Sequence, residues 1–299
     1  MTDADLIIKG LNATWPALVL AVLLGASALK FPRVGPWAAA TAAAGGMLIS
    51  LRWFGGERFD RWMWVVPTMI AWSVAAAMLT LLADDDEAID EPPRYPAVKI
   101  VTSLVFALVA MTLASFTLYD GDGPDRAVPV LLVPIVLAAV AGSPKVAHRM
   151  DAIGVAAALG CGALCILLVG NDTFFHTFLA LPTVAGVFAL LAVFKPKLAR
   201  ASWVLLPGLA IAVAVAWNSN IDVPDHIVIA LLVIGYCPVL LALAPPPASA
   251  WLPGVLVSVI AVSALGYALL NTDLSGYGIG SPPPADTTDI TDPNFDWGY

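Results

Sequence analysis

The amino-acid sequence predicts an all-α protein that crosses a lipid bilayer about ten times. Of its 299 residues, 60% are hydrophobic and only 12% are charged, whereas soluble domains carry roughly a quarter charged residues. From position 12 to position 270 the chain is a succession of apolar runs. Each run has roughly 16 to 21 residues, and about 20 helical residues cross a hydrocarbon layer of roughly 30 Å. The runs lack the alternating polarity of barrel strands, so helices are the expected spanning structure.

The predicted spans follow the apolar runs in chain order and are separated by short polar breaks. Eight tryptophans lie near run ends, where an amphipathic ring prefers the headgroup region. They are Trp15, Trp37, Trp53, Trp62, Trp64, Trp203, Trp217 and Trp251. The spans form a transmembrane domain over 1–270, and an acidic tail rich in Pro, Gly and Asp follows over 271–299. The predicted spans are 13–29, 35–53, 62–83, 98–118, 127–142, 151–170, 176–194, 201–217, 226–244 and 251–270.

The distribution of Lys and Arg predicts the orientation, because cytoplasmic loops retain cations. If both termini lie outside, nine of the 14 cations fall in inner loops and five in outer segments. The segment VFKPKLARASW at 193–203 is accordingly interpreted as a basic inner loop. The inner cations are Lys30, Arg33, Arg94, Lys99, Lys145, Arg149, Lys195, Lys197 and Arg200, and the outer cations are Lys9, Arg52, Arg58, Arg61 and Arg126.

Proline beside a cation recurs in these predicted inner loops. FPRVG at 31–35, SPKVA at 143–147 and KPKLA at 195–199 share the pattern. Two interpretations remain open. One is a tandem array of two-helix hairpins. The other is that short inner loops independently favour Pro, which ends helices, and cations, which stay inside.

No ionisable residue is expected near the middle of a predicted span, because Asp151, His148, His176 and His226 fall at run ends. Intramembrane ionisable groups usually mark ion pathways and proton relays. Their expected absence disfavours proton-driven antiport, proton pumping and haem ligation, and we predict no enzyme activity and no cofactor. The acidic run 84–91 is interpreted as a solvated loop, and the chain has no basic surface suited to nucleic acid.

Cys161 and Cys165 lie one helical turn apart on one predicted face. With Cys237 they could form a soft-metal site, but small residues at four-residue steps in the same run favour close helix packing. We therefore predict packing and no metal. The small residues are Gly154, Ala158 and Gly162.

Prolines within predicted spans mark a candidate solute cavity. Each interior proline removes a backbone donor and bends its helix. Pro182 with Thr183, and Tyr236 with Pro238, place polar groups beside such bends. This arrangement is expected around a cavity for a neutral solute. The other interpretation is that these prolines have no special role, because proline is commoner in membrane helices than in soluble ones.

The acidic tail ends in FDWGY, where Phe295, Trp297 and Tyr299 offer aromatic anchors for a partner's pocket. On the predicted orientation the tail is periplasmic. The Ala-rich composition and the three cysteines favour a multi-pass protein of a bacterial inner membrane.

Two functions follow from these expectations. The first is a non-catalytic integral subunit of a larger membrane assembly, which would contact the lipid bilayer and other membrane subunits, pack laterally through its small-residue faces and dock its tail on a partner. The second is a permease for a neutral or apolar small solute or a lipid.

Overall fold

The computed structural model describes residues 3–54, 65–84, 148–169, 172–219, 224–238, 241 and 251–272. All regular structure in these ranges is helical, and no strand occurs in them. A helix bonds its backbone N–H and C=O groups within one segment, which is what an apolar chain in lipid requires. The all-α prediction is therefore confirmed for this part of the chain.

Nine α-helices and two 3₁₀-helices are defined within the described ranges. Both 3₁₀-helices begin at a proline, whose ring fixes φ for a first helical turn and whose missing N–H costs nothing there. We call them the short 3₁₀-helix, Pro32–Val34, and the long 3₁₀-helix, Pro196–Leu205. The α-helices are α1 Asp3–Lys30, α2 Gly35–Phe54, α3 Val65–Asp84, α4 Arg149–Leu168, α5 Asp172–Phe178, α6 Ala180–Phe194, α7 Leu206–Ser219, α8 Asp225–Tyr236 and α9 Leu252–Asn271.

Six helical segments of the described chain are long and apolar enough to cross a membrane. Two predicted spans, 98–118 and 127–142, lie outside the described residues, so the count of ten stays a prediction. The coarser prediction, several apolar helices that suggest a membrane-embedded protein, is confirmed. The six segments are Gly10–Lys30, Pro32–Arg52, Arg149–Leu168, Phe175–Phe194, Pro196–Val213 and Leu252–Asn271.

Contacts between helix ends place residues 30–35 and 195–198 at one end of the bundle. Lys195 Nζ donates a hydrogen bond to the Leu29 carbonyl, and a Cβ built on Gly35 would lie 3.0 Å from Leu198 Cδ2. The start of α4 shares this end, because α4 packs against α6 and is joined to α5 by a short link. We call this end the basic end. Its described cations are Lys30, Arg33, Arg149, Lys195 and Lys197.

Glycine permits close helix contacts in the bundle. A Cβ on Gly154 of α4 would lie 2.7 Å from the Gly254 carbonyl oxygen of α9, and a Cβ on Gly254 would collide with the Met150 carbonyl. A Cβ on Gly46 of α2 would lie 2.6 Å from Ala17 Cβ of α1. Small residues let helix backbones approach closely, which is a main source of association between membrane helices.

The centre of the bundle is the segment formed by the long 3₁₀-helix and the first half of α7. Every residue from Leu198 to Val213 is buried. Helices α2, α3, α4 and α6 pack against the long 3₁₀-helix. In contrast, only 28% of the Leu252–Asn271 segment is buried, against 89% of Pro196–Val213. A helix that is surrounded by protein is where an internal site would be built.

Candidate functional site

The long 3₁₀-helix carries three polar side chains into the interior. Arg200 is 6% exposed, and Ser202 and Trp203 are both 0% exposed. The expectation that Arg200 lies in a basic loop is wrong. The physical reason is that Pro196 starts the 3₁₀-helix directly after Lys195, so residues 198–205 enter the bundle without an intervening loop.

The register of the 3₁₀-helix aligns these side chains. At 3.0 residues per turn, side chains at i and i+3 eclipse one another. Lys197, Arg200 and Trp203 therefore form one row along the helix, which we call the donor row. At a rise of about 2.0 Å per residue, Arg200 lies about 8 Å and Trp203 about 14 Å along the helix from Pro196. The row runs from the exposed Lys197 at the basic end into the buried centre.

Three fully buried polar atoms have no hydrogen-bond partner among the described residues. They are Trp203 Nε1, Ser202 Oγ and Ser73 Oγ, and α3, which carries Ser73, packs against the long 3₁₀-helix. An unsatisfied buried donor or acceptor costs about 1–3 kcal/mol. Most buried polar groups in proteins have a hydrogen-bond partner, so three buried polar atoms without one on two packed helices are unusual.

Asp151 forms a second buried polar group, and its contacts are those of a helix cap. Its Oδ2 accepts a 2.8 Å hydrogen bond from the His148 amide, while His148 Nδ1 accepts a 3.2 Å bond from the Met150 amide. The start of α9 lies against this cap, because a Cβ on Gly254 would lie 2.6 Å from the Asp151 amide nitrogen. Asp151 thus closes the capping box at the start of α4. We assign Asp151 a structural role.

The small residues predicted to pack helices are used inside the chain. Gly154 contacts Gly254, as described above, and Ala158 is buried. A Cβ on Gly162 would lie 2.7 Å from Leu209 Cδ1 of α7 and 3.7 Å from Ile234 Cγ2 of α8. This face of α4 is therefore covered by α7, α8 and α9.

The three cysteines are buried free thiols. Cys161 and Cys165 lie in α4, and Cys237 Sγ donates a 3.3 Å hydrogen bond to the Ile234 carbonyl at the end of α8. Within the described ranges, no group of three or more His, Cys, Asp or Glu side chains is placed to hold a metal ion.

The four residues of the predicted solute cavity lie in two separate places. Pro182 and Thr183 belong to α6, where the Thr183 hydroxyl donates a 2.7 Å hydrogen bond to the Leu179 carbonyl. Tyr236 ends α8 and Pro238 follows it. Helices α6 and α8 are not among the closely packed pairs of described helices. The structure does not group the two pairs around the donor row.

The aromatic residues of the tail, Phe295, Trp297 and Tyr299, lie outside the described residues. The sequence did not point to the interior polar residues Ser73 and Ser202, and Trp203, which was expected at a run end in the headgroup region, is fully buried. One available signal was the spacing of Lys197, Arg200 and Trp203 at three-residue steps directly after a proline, which matches the period of a 3₁₀-helix.

No protein-family model, curated protein or solved structure matches this chain.

Proposed function

We propose that the chain is a membrane permease that binds a small polar solute inside its helical bundle. The observation that carries this proposal is the burial of Arg200 and Trp203 on the central segment of the bundle. Polar and ionisable residues within membrane helices are costly, face the bundle interior or an aqueous cavity, and usually line a substrate pathway.

The solute differs from the neutral or apolar one expected from the sequence. Trp203 Nε1 can only donate a hydrogen bond and has no partner among the described residues, so the proposed solute carries an acceptor atom. The long 3₁₀-helix adds a second argument. Runs of 3₁₀-helix longer than three or four residues are uncommon, and such a run within a helix often marks a functional hinge. No catalytic step is proposed.

We place the permease in a bacterial inner membrane with ten spans and both termini outside. Support comes from the five described cations at the basic end, against Lys9 and Arg52 at the opposite end. Cytoplasmic segments carry the excess of Lys and Arg. The basic end is thus the cytoplasmic side in this proposal.

Cysteine labelling tests the orientation. The native thiols are buried, so a membrane-impermeant maleimide should report on Lys197→Cys and Arg52→Cys. We expect Arg52→Cys to react in spheroplasts and Lys197→Cys to react only in inverted vesicles. The reverse pattern would place the basic end outside and contradict the orientation.

Uptake into proteoliposomes tests the permease. Purified protein is reconstituted and offered labelled glycerol, lactate and inorganic phosphate. We expect at least one probe to enter faster than it enters protein-free vesicles. Charge-assisted hydrogen bonds contribute about 1.5–3 kcal/mol, so Arg200→Gln should slow that uptake about tenfold or more.

The matched control is Arg33→Gln, because Arg33 is a basic-end arginine that lies on the surface of the short 3₁₀-helix. Its uptake should equal that of the wild type. Entry of all three probes at the rate seen in protein-free vesicles would contradict the permease.

A non-catalytic subunit of a membrane assembly is the second candidate. It is favoured by the outer face of α9, where large apolar side chains are exposed over the length of the helix, and by the aromatic end of the tail. It is weakened because the small-residue face of α4 is covered within the chain. A single-chain particle in mild detergent would contradict it. The exposed α9 residues are Leu252, Leu256, Val259, Val262, Tyr267, Leu269 and Leu270.

A further inference from the structure

The two turns at the basic end leave large apolar side chains exposed next to lysines. In the first turn, Phe31 is 58% exposed and follows Lys30. In the second turn, Phe194 is 82% exposed and precedes Lys195. Clustered exposed apolar side chains mark surfaces that contact another protein or a membrane. We define the turn surface as the exposed lysines and large apolar residues of both turns, which are Lys30, Phe31, Val34, Val193, Phe194 and Lys197.

Packing between α1 and α6 makes the two turns neighbours. Lys195 Nζ donates a hydrogen bond to the Leu29 carbonyl, so the second turn is attached to the end of α1. Farther from the turns along both helices, a Cβ on Gly25 of α1 would lie 2.6 Å from Leu191 Cδ1 of α6. The exposed residues of the two turns therefore belong to one surface.

The lysine charges of the turn surface lie close to its apolar side chains. Lys30 Nζ is 5.5 Å from the centre of the Phe31 ring, and the exposed Lys197 follows Phe194 closely in the chain. An anionic phospholipid combines the matching groups, because its phosphate adjoins its apolar acyl chains. Aromatic rings prefer this headgroup level of a bilayer, and lysine ammonium groups reach it along their apolar stems.

The described charges at the basic end favour an anionic partner. Five cations lie there. The described acidic side chains at this end are those of Asp151, which accepts a hydrogen bond from the His148 amide, and Asp84, the last residue of α3. Five cations against two carboxylates leave an excess of positive charge in this part of the described chain. Clustered Lys and Arg residues at a membrane surface attract anionic lipids.

We propose that the turn surface binds anionic phospholipid, with the phosphate groups against Lys30 and Lys197 and the upper acyl chains against Phe31 and Phe194. The lysine charges would also suit an acidic segment of the chain itself, such as 85–91. The exposed phenylalanines favour lipid, because a segment rich in carboxylates would give their rings little apolar contact. This binding does not depend on the proposed transport.

The experiment is a lipid titration of the full-length protein, read by native mass spectrometry. Delipidated protein in detergent receives either phosphatidylglycerol or phosphatidylcholine with the same acyl chains. We expect phosphatidylglycerol to bind more tightly to the wild type, because only its headgroup carries a net negative charge.

Substitutions separate the contribution of the headgroup from that of the acyl chains. Lys30→Gln and Lys197→Gln should each lower the affinity for phosphatidylglycerol about fivefold, and together about thirtyfold, without changing phosphatidylcholine binding. Replacing both lysines by Arg keeps the charge and should keep the lipid preference. Phe194→Ala should weaken the binding of both lipids by a similar factor. The matched control is Arg52→Gln, an exposed cation at the opposite end, which should bind both lipids as the wild type does.

The proposal is overturned if the wild type binds the two lipids with equal affinity, or if the double Gln variant keeps the wild-type preference for phosphatidylglycerol. An equal loss of that preference in Arg52→Gln would also overturn it. Thermal unfolding in nanodiscs of each lipid tests the acidic segment. A loss of stability in the double Gln variant that is the same in both lipids would assign the lysines to a partner within the chain and overturn the proposal, whereas a loss confined to phosphatidylglycerol would support it.

Discussion

Two helix hairpins of this protein turn at the basic end by the same device and then diverge. In α1–α2, the short 3₁₀-helix follows Lys30 and Phe31, has three residues and buries none of them. In α6–α7, the long 3₁₀-helix follows Lys195, has ten residues and buries eight. Both begin at a proline beside a cation. One such segment stays at the surface, and the other becomes the centre of the bundle.

The spacing of prolines explains the difference in length. In the first hairpin, Pro32 starts the 3₁₀-helix, and Pro36 occupies the second position of α2. In the second hairpin, Pro196 starts the 3₁₀-helix, and Pro207 occupies the second position of α7. Proline is pre-organised for the first turn of an α-helix. The distance to the second proline therefore determines how far the 3₁₀-helix continues.

The largest expected difference between the hairpins concerns their tryptophans. Trp203 is fully buried, whereas Trp37 is partly exposed. Replacing a buried Trp by Ala costs about 3–5 kcal/mol, so Trp203→Ala should sharply lower the unfolding midpoint. Trp37→Ala should cost about half as much or less, because part of the Trp37 ring stays exposed on the surface of the folded protein. Thermal unfolding in one detergent measures both.

Phe variants serve as controls for this pair. Trp203→Phe and Trp37→Phe keep most of the apolar surface, so both should be closer in stability to the wild type than their Ala counterparts. Equal destabilisation by the two Ala variants would contradict the central position assigned to the long 3₁₀-helix.

The smallest expected difference concerns the lysines at the two turns. Lys195 Nζ donates to the Leu29 carbonyl and so ties the second hairpin to the first. Lys30 is exposed and lies 5.5 Å from the centre of the Phe31 ring. Lys195→Gln should cost about 1 kcal/mol, the net contribution of a typical hydrogen bond. Lys30→Gln should cost less than about 0.5 kcal/mol, as expected for an exposed surface substitution.

Chemical unfolding of the two variants in the same detergent provides the comparison. Lys195→Met, which removes the donor but keeps an apolar chain of similar length, should resemble Lys195→Gln. Wild-type stability in both Lys195 variants would show that the bond to Leu29 does not join the hairpins.

The sequence predicted the helices well because each apolar run is bounded by local signals. The prediction 13–29 lies inside α1, and the His148 and Asp151 pair at the start of α4 forms the cap that its spacing allows. The prediction failed at Arg200, which was assigned to a loop on the basis of the nearby Lys195 and Lys197. Net charge along a segment does not reveal where a 3₁₀-helix begins to enter the bundle.

By itself, the sequence determined an apolar helical chain and the segments from which its long helices are built. It could do so because helix length and apolar composition are local properties, and lipid leaves the backbone few other structures. Only the tertiary structure decided which run is central. Lipid-facing and protein-facing surfaces of a membrane helix are both apolar, so the composition of an apolar run such as residues 206–213 does not show whether it faces lipid or protein. Arg200 and Trp203 are enclosed because four helices pack against the long 3₁₀-helix, namely α2, α3, α4 and α6.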